Sequence, residues 1–310
     1  MRKKICSLVI TFVLLFIYFV AFSNTSSSSK STTESEWYYL PAYSNYAPSG
    51  LPDFSQLQQK DWWGSKSPDF CGAVSLADIL WWFDSKHEDS NGKPGDSVDT
   101  YPLVQDYRAP GAPEPGPYSD DHSFNNVNDN QTAWHRFRRS GELIERIAWY
   151  TNRQKDAPWF KMLGPLGAPY NGLKLYLGAK IWLRETGLKD QFTVKCIVKP
   201  DFSTINECVR NNDGVILGLI GYDPEFGMWG HFVAVAGINS SGYIALSDPL
   251  QDVMNPSLNP AEHNNASIVS HDIYKVNFTS TMPHLSSWCL SDYFEESVQV
   301  DGAVIISETK

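Results

Sequence analysis

The stretch from Ala73 to Lys86 contains neither Gly nor Pro. It carries Val74, Ala77 and Trp81, flanked by Leu76, Leu80 and Phe83, at helical spacing. A helix that is apolar around most of its circumference has no face to give to water, so the fold must enclose it. The chain can do so: 310 residues, 42% of them apolar and 14% aromatic, suffice for a substantial core and exclude a disordered chain. There is no Gly-X-Y period and no internal repeat, which excludes collagen-like and solenoid architectures.

Downstream the pattern predicts, in order, helices over 142–152 and 172–186, a strand over 192–198, and a helix over 204–210 with a Thr204/Glu207 capping box. Strands follow over 214–221, 231–238 and 243–247, then 272–278 and 302–307. The turn at Asn239–Gly242 makes 231–238 and 243–247 a β-hairpin. Helices first and antiparallel strands second is an α+β arrangement. Residues 37–54 read as irregular or short-stranded. The Pro-, Gly-, Asp- and Asn-rich stretch of about 87–130 reads as a loop inserted in a single domain spanning 37–310.

The N-terminus reads as a targeting segment. Ile5–Phe22 is 18 residues without a charge, preceded by Arg2-Lys3-Lys4, and Ala21 and Ser23 are placed for cleavage after Ser23. Export with removal of residues 1–23 is the favoured reading, and an uncleaved membrane anchor is the alternative. The Ser/Thr-rich residues 24–36 form a spacer. The formal charge is −10; taking the leader's three basic residues from 25 leaves 22 against 35 acidic, or −13. Such a chain repels phosphate backbones, so no nucleic-acid partner is expected.

Outside the cytoplasm disulfides are allowed, yet only Cys71, Cys196, Cys208 and Cys289 follow the leader, too few to be the scaffold. A local bridge between Cys196 and Cys208 is admissible, and Cys289, between Trp288 and Leu290, reads as a buried thiol. Cys71 differs. It opens the long helix, where peptide dipoles favour a thiolate, and Gly72 and Ala73 leave its sulfur uncrowded. His231 heads the strand Gly230-His231-Phe232-Val233-Ala234-Val235-Ala236-Gly237, where it can serve as a base. Asp248, 17 residues on and before Pro249, returns beside it through the hairpin.

The segments Cys71-Gly72-Ala73-Val74-Ser75-Leu76-Ala77, Gly230–Gly237 and Ser247-Asp248-Pro249 resemble the bacteriocin-leader-processing-peptidase-like branch of the papain fold. The match covers roughly 50–85 and 190–250, with Ala73 where most members carry Pro. The resemblance implies a papain-like cysteine peptidase acting on a peptide or protein, with Cys71 as nucleophile, His231 as general base and Asp248 as orienting carboxylate. It also implies an oxyanion donor upstream of the cysteine. The usual Gln six residues before it is here Ser65, so Gln56, with Gln58 as runner-up, is chosen from the segment Phe54–Gln59. Cys71-Gly72-Ala73 with Leu80-Trp81-Trp82-Phe83-Asp84 is also similar to the immunoglobulin-degrading cysteine proteinases of streptococci, offset by one residue.

Two other functions compete: a transglutaminase-like acyl transferase, and a catalytically inactive binding domain. No cofactor or metal is called for, since Asp89–Gly92 lacks the remaining ligands of a calcium loop and His122 and His135 have no partners at zinc spacing. His271-Asp272 lacks the Gly-His strand context and reads as structural. The paired tryptophans read as core, with Trp62-Trp63 near enough to the cysteine to line a cleft.

Overall fold

The computed structural model describes residues 36–43, 47–54, 56, 70–87, 101–104, 143–151, 168–225, 227–250, 272–278, 288–293 and 296–310. All of these except Glu36 lie in one compact unit, Trp37–Lys310. The leader, Gln58, Trp62-Trp63, Asp89–Gly92, His122, His135, His271 and most of the 87–130 loop fall outside the described residues.

The element order is β1 (Trp37–Tyr39), α1 (Cys71–Lys86), α2 (Leu143–Tyr150), α3 (Ala168–Glu185), β2 (Phe192–Val198), α4 (Phe202–Arg210), β3 (Gly214–Asp223), β4 (Gly227–Asn239), β5 (Tyr243–Ser247), β6 (Asp272–Asn277), β7 (Cys289–Tyr293) and β8 (Glu296–Glu308). After β1, three helices precede the run of antiparallel strands, which α4 interrupts once; all described strands join one sheet, seven in the order β1-β4-β3-β8-β7-β6-β5 and β2 beside β8. Because β5 also pairs with β4, the sheet closes on itself like a barrel, with β1 and β2 attached outside the ring. Each of the six ring strands has a partner on both sides, so the unpaired edges among the described strands are those of β1 and β2.

Enclosure of α1 is complete: every residue from Cys71 to Ser85 is buried. One side meets β3 and β4 so closely that a Cβ on Gly214 would lie 2.3 Å from Ile79 Cγ2. Another meets α2. Three buried tryptophans keep their indole N–H groups satisfied on backbone carbonyls, Trp82 on Pro41 at 2.9 Å, Trp182 on Leu103 at 3.1 Å and Trp288 on Pro200 at 2.6 Å. Part of the predicted loop thus belongs to the core: Leu103 and Val104 are buried, and the Val104 N–H donates to Asp84 on α1.

At the far end of α1, Lys86 and His87 both engage Glu308, the last residue of β8. Burial opposes the charge of Glu308, but these two partners outweigh it and pull the carboxyl down to about 2. The end of β8 is thereby tied to α1.

Several boundaries differ from the sequence reading. Helix α4 starts at Phe202 with Asp201 as its N-cap residue, so Thr204 lies inside the first turn and no side-chain capping bond forms. Strand β4 begins at Gly227, four residues ahead of His231, because the β3–β4 ladder runs out to Asp223 opposite Gly227. Strand β7 was not anticipated, and β8 is extended to 296–308. Cys196 and Cys208 form no bridge; all four described cysteines are free. Cys208 instead hydrogen-bonds Asp213, and burial together with that carboxylate pushes its thiol up to about 11.

Helix α3 passes α2 at Gly178, where a Cβ would lie 2.8 Å from Thr151 Cα and 3.0 Å from its nitrogen. Backbone cannot give way as a side chain can, so Gly178→Ala is expected to destabilise the fold by about 1–3 kcal/mol, read as a lowered midpoint in thermal or urea unfolding.

Candidate active site

Helix α1 starts abruptly. Phe70 occupies the N-cap position without a side-chain cap, its carbonyl accepting the Val74 N–H at 2.9 Å, and the first turn contains no acidic residue. No carboxylate of the helix's own first turn opposes the partial positive charge of the terminus at which Cys71 sits. Two contacts fix this helix start against β4. The Ser75 hydroxyl donates to the Phe232 carbonyl at 3.1 Å, and Gly72 lies where a Cβ would come within 3.1 Å of the Phe232 ring. Gly72 therefore allows the helix to approach the strand that carries His231.

His231 is buried and its Nε2 meets Asp248 Oδ1 at 2.7 Å. Cys71 lies within hydrogen-bonding reach of the same ring. With Nε2 on the carboxylate, Nδ1 is the nitrogen left for the sulfur. Burial disfavours the imidazolium, but the charges of and hydrogen bonds to Asp248 and Cys71 outweigh it and push His231 up to about 10. Burial likewise opposes the Asp248 carboxylate, which is nevertheless held below its ordinary range by His231, Tyr293 and the Leu250 N–H.

A bulge decides whether Asp248 can reach His231. In the β4–β5 ladder Gly237 opposes Ala245, but Val235 opposes Leu246, leaving Ala236 as an extra residue on β4. Continued without the bulge, the register would set Asp248 opposite Ala234, on the other face from His231. With it, Asp248 falls opposite Val233, which shares the His231 face. Gly237 inside an otherwise apolar strand is the mark of this irregularity in the sequence; a Cβ there would strike the Tyr39 ring at 2.5 Å.

Gln56 is buried, and its backbone N–H donates to the Pro249 carbonyl at 2.7 Å, which sets its segment beside the Asp248 corner. The same segment is pinned to α1 by the Phe54 N–H donating to Asp78 Oδ1 at 3.0 Å. Asp78 lies seven residues after Cys71, two helical turns along the same face. Its full burial holds its carboxyl well above the usual range, a state suited to a neutral acid in the core. The structure thus brings Cys71, His231 and Asp248 together and sets the Gln56 backbone against the residue after Asp248.

Tyr293 was missed by the sequence reading. Its hydroxyl donates to Asp248 Oδ2 at 2.5 Å from 45 residues away, and no motif announces it. Asp272 is buried on β6 and accepts from the Tyr274 hydroxyl at 3.3 Å, in keeping with a structural role. Among the described residues no group of three His, Cys, Asp or Glu could hold a metal, and no helix is long and apolar enough to cross a membrane.

No family model and no curated protein matches the sequence. Among solved structures, the chain is similar to the active wild-type interpain A cysteine protease of Prevotella intermedia. The two share 12% identity over 86% of this chain and 98% of that one, with a TM-score of 0.36. It is also similar to a C39-like peptidase from Bacillus anthracis, with 14% identity over 74% of this chain and 96% of that one and a TM-score of 0.27. Both are named as peptidases.

The His231–Asp248 contact has a measurable consequence. A histidine whose pKa is raised by its partner stays charged until the pH passes the raised value, so the His231 ring is expected to titrate near pH 10 by NMR. In Asp248→Asn, burial remains while the carboxylate charge is gone, and the ring should titrate well below that value.

Proposed function

We propose that this chain is a papain-like cysteine hydrolase that cleaves a peptide or isopeptide bond through an acyl-enzyme on Cys71. The observation that carries the reading is the buried His231–Asp248 pair with Cys71 within reach of the same ring, at the N-terminus of a buried helix. A central helix that opens at a cysteine and packs on an antiparallel barrel-like sheet is what the papain-like reading calls for. The leader, three basic residues followed by an uncharged apolar run, supports export of the catalytic domain, either free or tethered by its N-terminus, to act on a peptide or protein substrate.

The chemistry follows from the charges. With its pKa raised to about 10, His231 rests as imidazolium at neutral pH and stabilises a thiolate beside it. The Cys71 sulfur attacks the scissile carbonyl carbon, and the developing oxyanion takes hydrogen bonds from the Cys71 N–H and the Gln56 side-chain amide. His231 then gives its proton to the leaving amine as the C–N bond breaks. Water attacks the resulting thioester while the neutral ring accepts its proton. The acid product departs and the ion pair is restored. Asp248 holds the ring with Nδ1 toward the sulfur throughout.

Hydrolysis of a mixed peptide library and labelling by an iodoacetamide-type probe test the reading together. Cleavage and labelling at Cys71 are expected in the wild type, and cleavage is expected to be lost in Cys71→Ala while the exposed Cys196 still takes the probe; wild-type protein that neither cleaves nor labels at Cys71 would sink it. Gln56→Ala is expected to lower the cleavage rate by about 100- to 1000-fold while leaving probe labelling intact. Activity should persist into alkaline solution and fall as His231 loses its proton near pH 10.

A further inference from the structure

We infer that Tyr293 is a positioning residue for the Asp248 carboxylate, aimed at it by a left-handed turn at Asp292. The role is a deepening of the Cys71–His231–Asp248 reading and rests on it. Asp248 has two oxygens to satisfy in a fully buried setting. Oδ1 accepts from His231 Nε2 at 2.7 Å and from the Leu250 N–H at 2.9 Å. Oδ2 accepts the Tyr293 phenol at 2.5 Å. A carboxylate held at one oxygen can swing about its Cβ–Cγ bond; held at both, it presents Oδ1 to the imidazole in one orientation.

Sequence order alone would turn Tyr293 away. In the β7–β8 ladder Cys289 opposes Gln299 and Leu290 opposes Val298, but Tyr293 opposes Glu296, so β7 carries one residue more than its partner. By plain alternation Tyr293 and Leu290, three apart, would face opposite ways. The extra residue puts Tyr293 on the face of Leu290 and Val298 instead. The backbone deviation is taken up at Asp292, whose φ of 61° lies in the left-handed region. Asp tolerates that conformation better than most residues, yet its cost is met only where the surrounding structure demands it. Here what it delivers is a phenol on the Asp248 carboxylate. Trp229 stacks against the Tyr293 ring at 6.3 Å and Tyr274 at 5.0 Å, so the ring is braced on both β4 and β6.

The charged and titratable groups around Asp248 are His231 on β4, with Cys71 on α1 beyond it, Tyr293 on β7, and the Tyr274–Asp272 pair on β6. Of these, His231 and Tyr293 hydrogen-bond its carboxylate from side chains, and both favour its ionised form. Removing the phenol therefore raises the pH at which Asp248 takes up a proton.

The test is Tyr293→Phe in the full chain, assayed by Cys71-dependent peptide hydrolysis across pH and by the low-field NMR resonance of the His231 ring proton facing Asp248. The expected result is a kcat about tenfold lower at unchanged KM, with the acid limb of kcat/KM moved up by about one pH unit. The ring proton should also exchange faster. Asp292→Val, which disfavours the left-handed turn, is expected to reproduce these changes. Asp292→Gly, which adopts the turn freely, is the conservative counterpart and should restore the wild-type profile. A Tyr293→Phe enzyme with wild-type kcat, acid limb and ring-proton exchange overturns the proposal. If the wild type shows no Cys71-dependent turnover, the hydrolase reading fails, and the ring proton alone decides: altered exchange upholds the Tyr293 role, unaltered exchange overturns it.

Discussion

The rest of the molecule is arranged around one helix that cannot be shown to water. Helix α1 is buried from Cys71 to Ser85, so it needs neighbours on every side, and the closed sheet, α2 and the 101–104 segment supply them. This requirement also sets where reactive groups can lie. A helix wrapped along its length can offer chemistry only at its ends, and the two ends of α1 are used differently. At one, Cys71 sits at the positive terminus against His231. At the other, Lys86 and His87 hold the last residue of β8. The same element thus anchors the end of β8 and presents the proposed nucleophile.

Polar groups enter this core on strict terms. Asp78 is tolerated because its burial favours the neutral acid and because one oxygen accepts a backbone N–H from the segment that carries Gln56. Asp248 is tolerated as a carboxylate because it meets a protonated ring, a phenol and a backbone N–H. Two buried aspartates with opposite protonation tendencies, both tied to the same corner of the fold, show how far local hydrogen bonding decides the charge of a group in a core.

Much of this architecture was legible from the sequence where the signal was local. The run after Gly72 announced α1, the alternation over 192–198 announced β2, and the short apolar run after Gly242 announced β5, each at the observed bounds. The proposed triad could be nominated from residues that stand at element ends, Cys71 at a helix start and Asp248 after a strand. What escaped was non-local or irregular. Strand β7 is five residues long and its alternation is broken at Asp292. The start of β4 hides in Met228-Trp229-Gly230, residues that read as a loop until their pairing with β3 is seen. Tyr293 has no motif, since its role depends on a ladder register that no nearby residue encodes. The Cys196–Cys208 bridge was suggested by proximity along the chain, which does not settle where two thiols point.

The bulge at Ala236 gives the site an unusual genetic vulnerability. Because one supernumerary residue turns Asp248 toward His231, deleting a single codon in β4 could disarm the site while preserving the cysteine, the histidine, the aspartate and nearly all of the fold. A relative of this chain without the proposed chemistry need not have lost any of the residues by which that chemistry is ordinarily recognised. Its strand length would carry the difference.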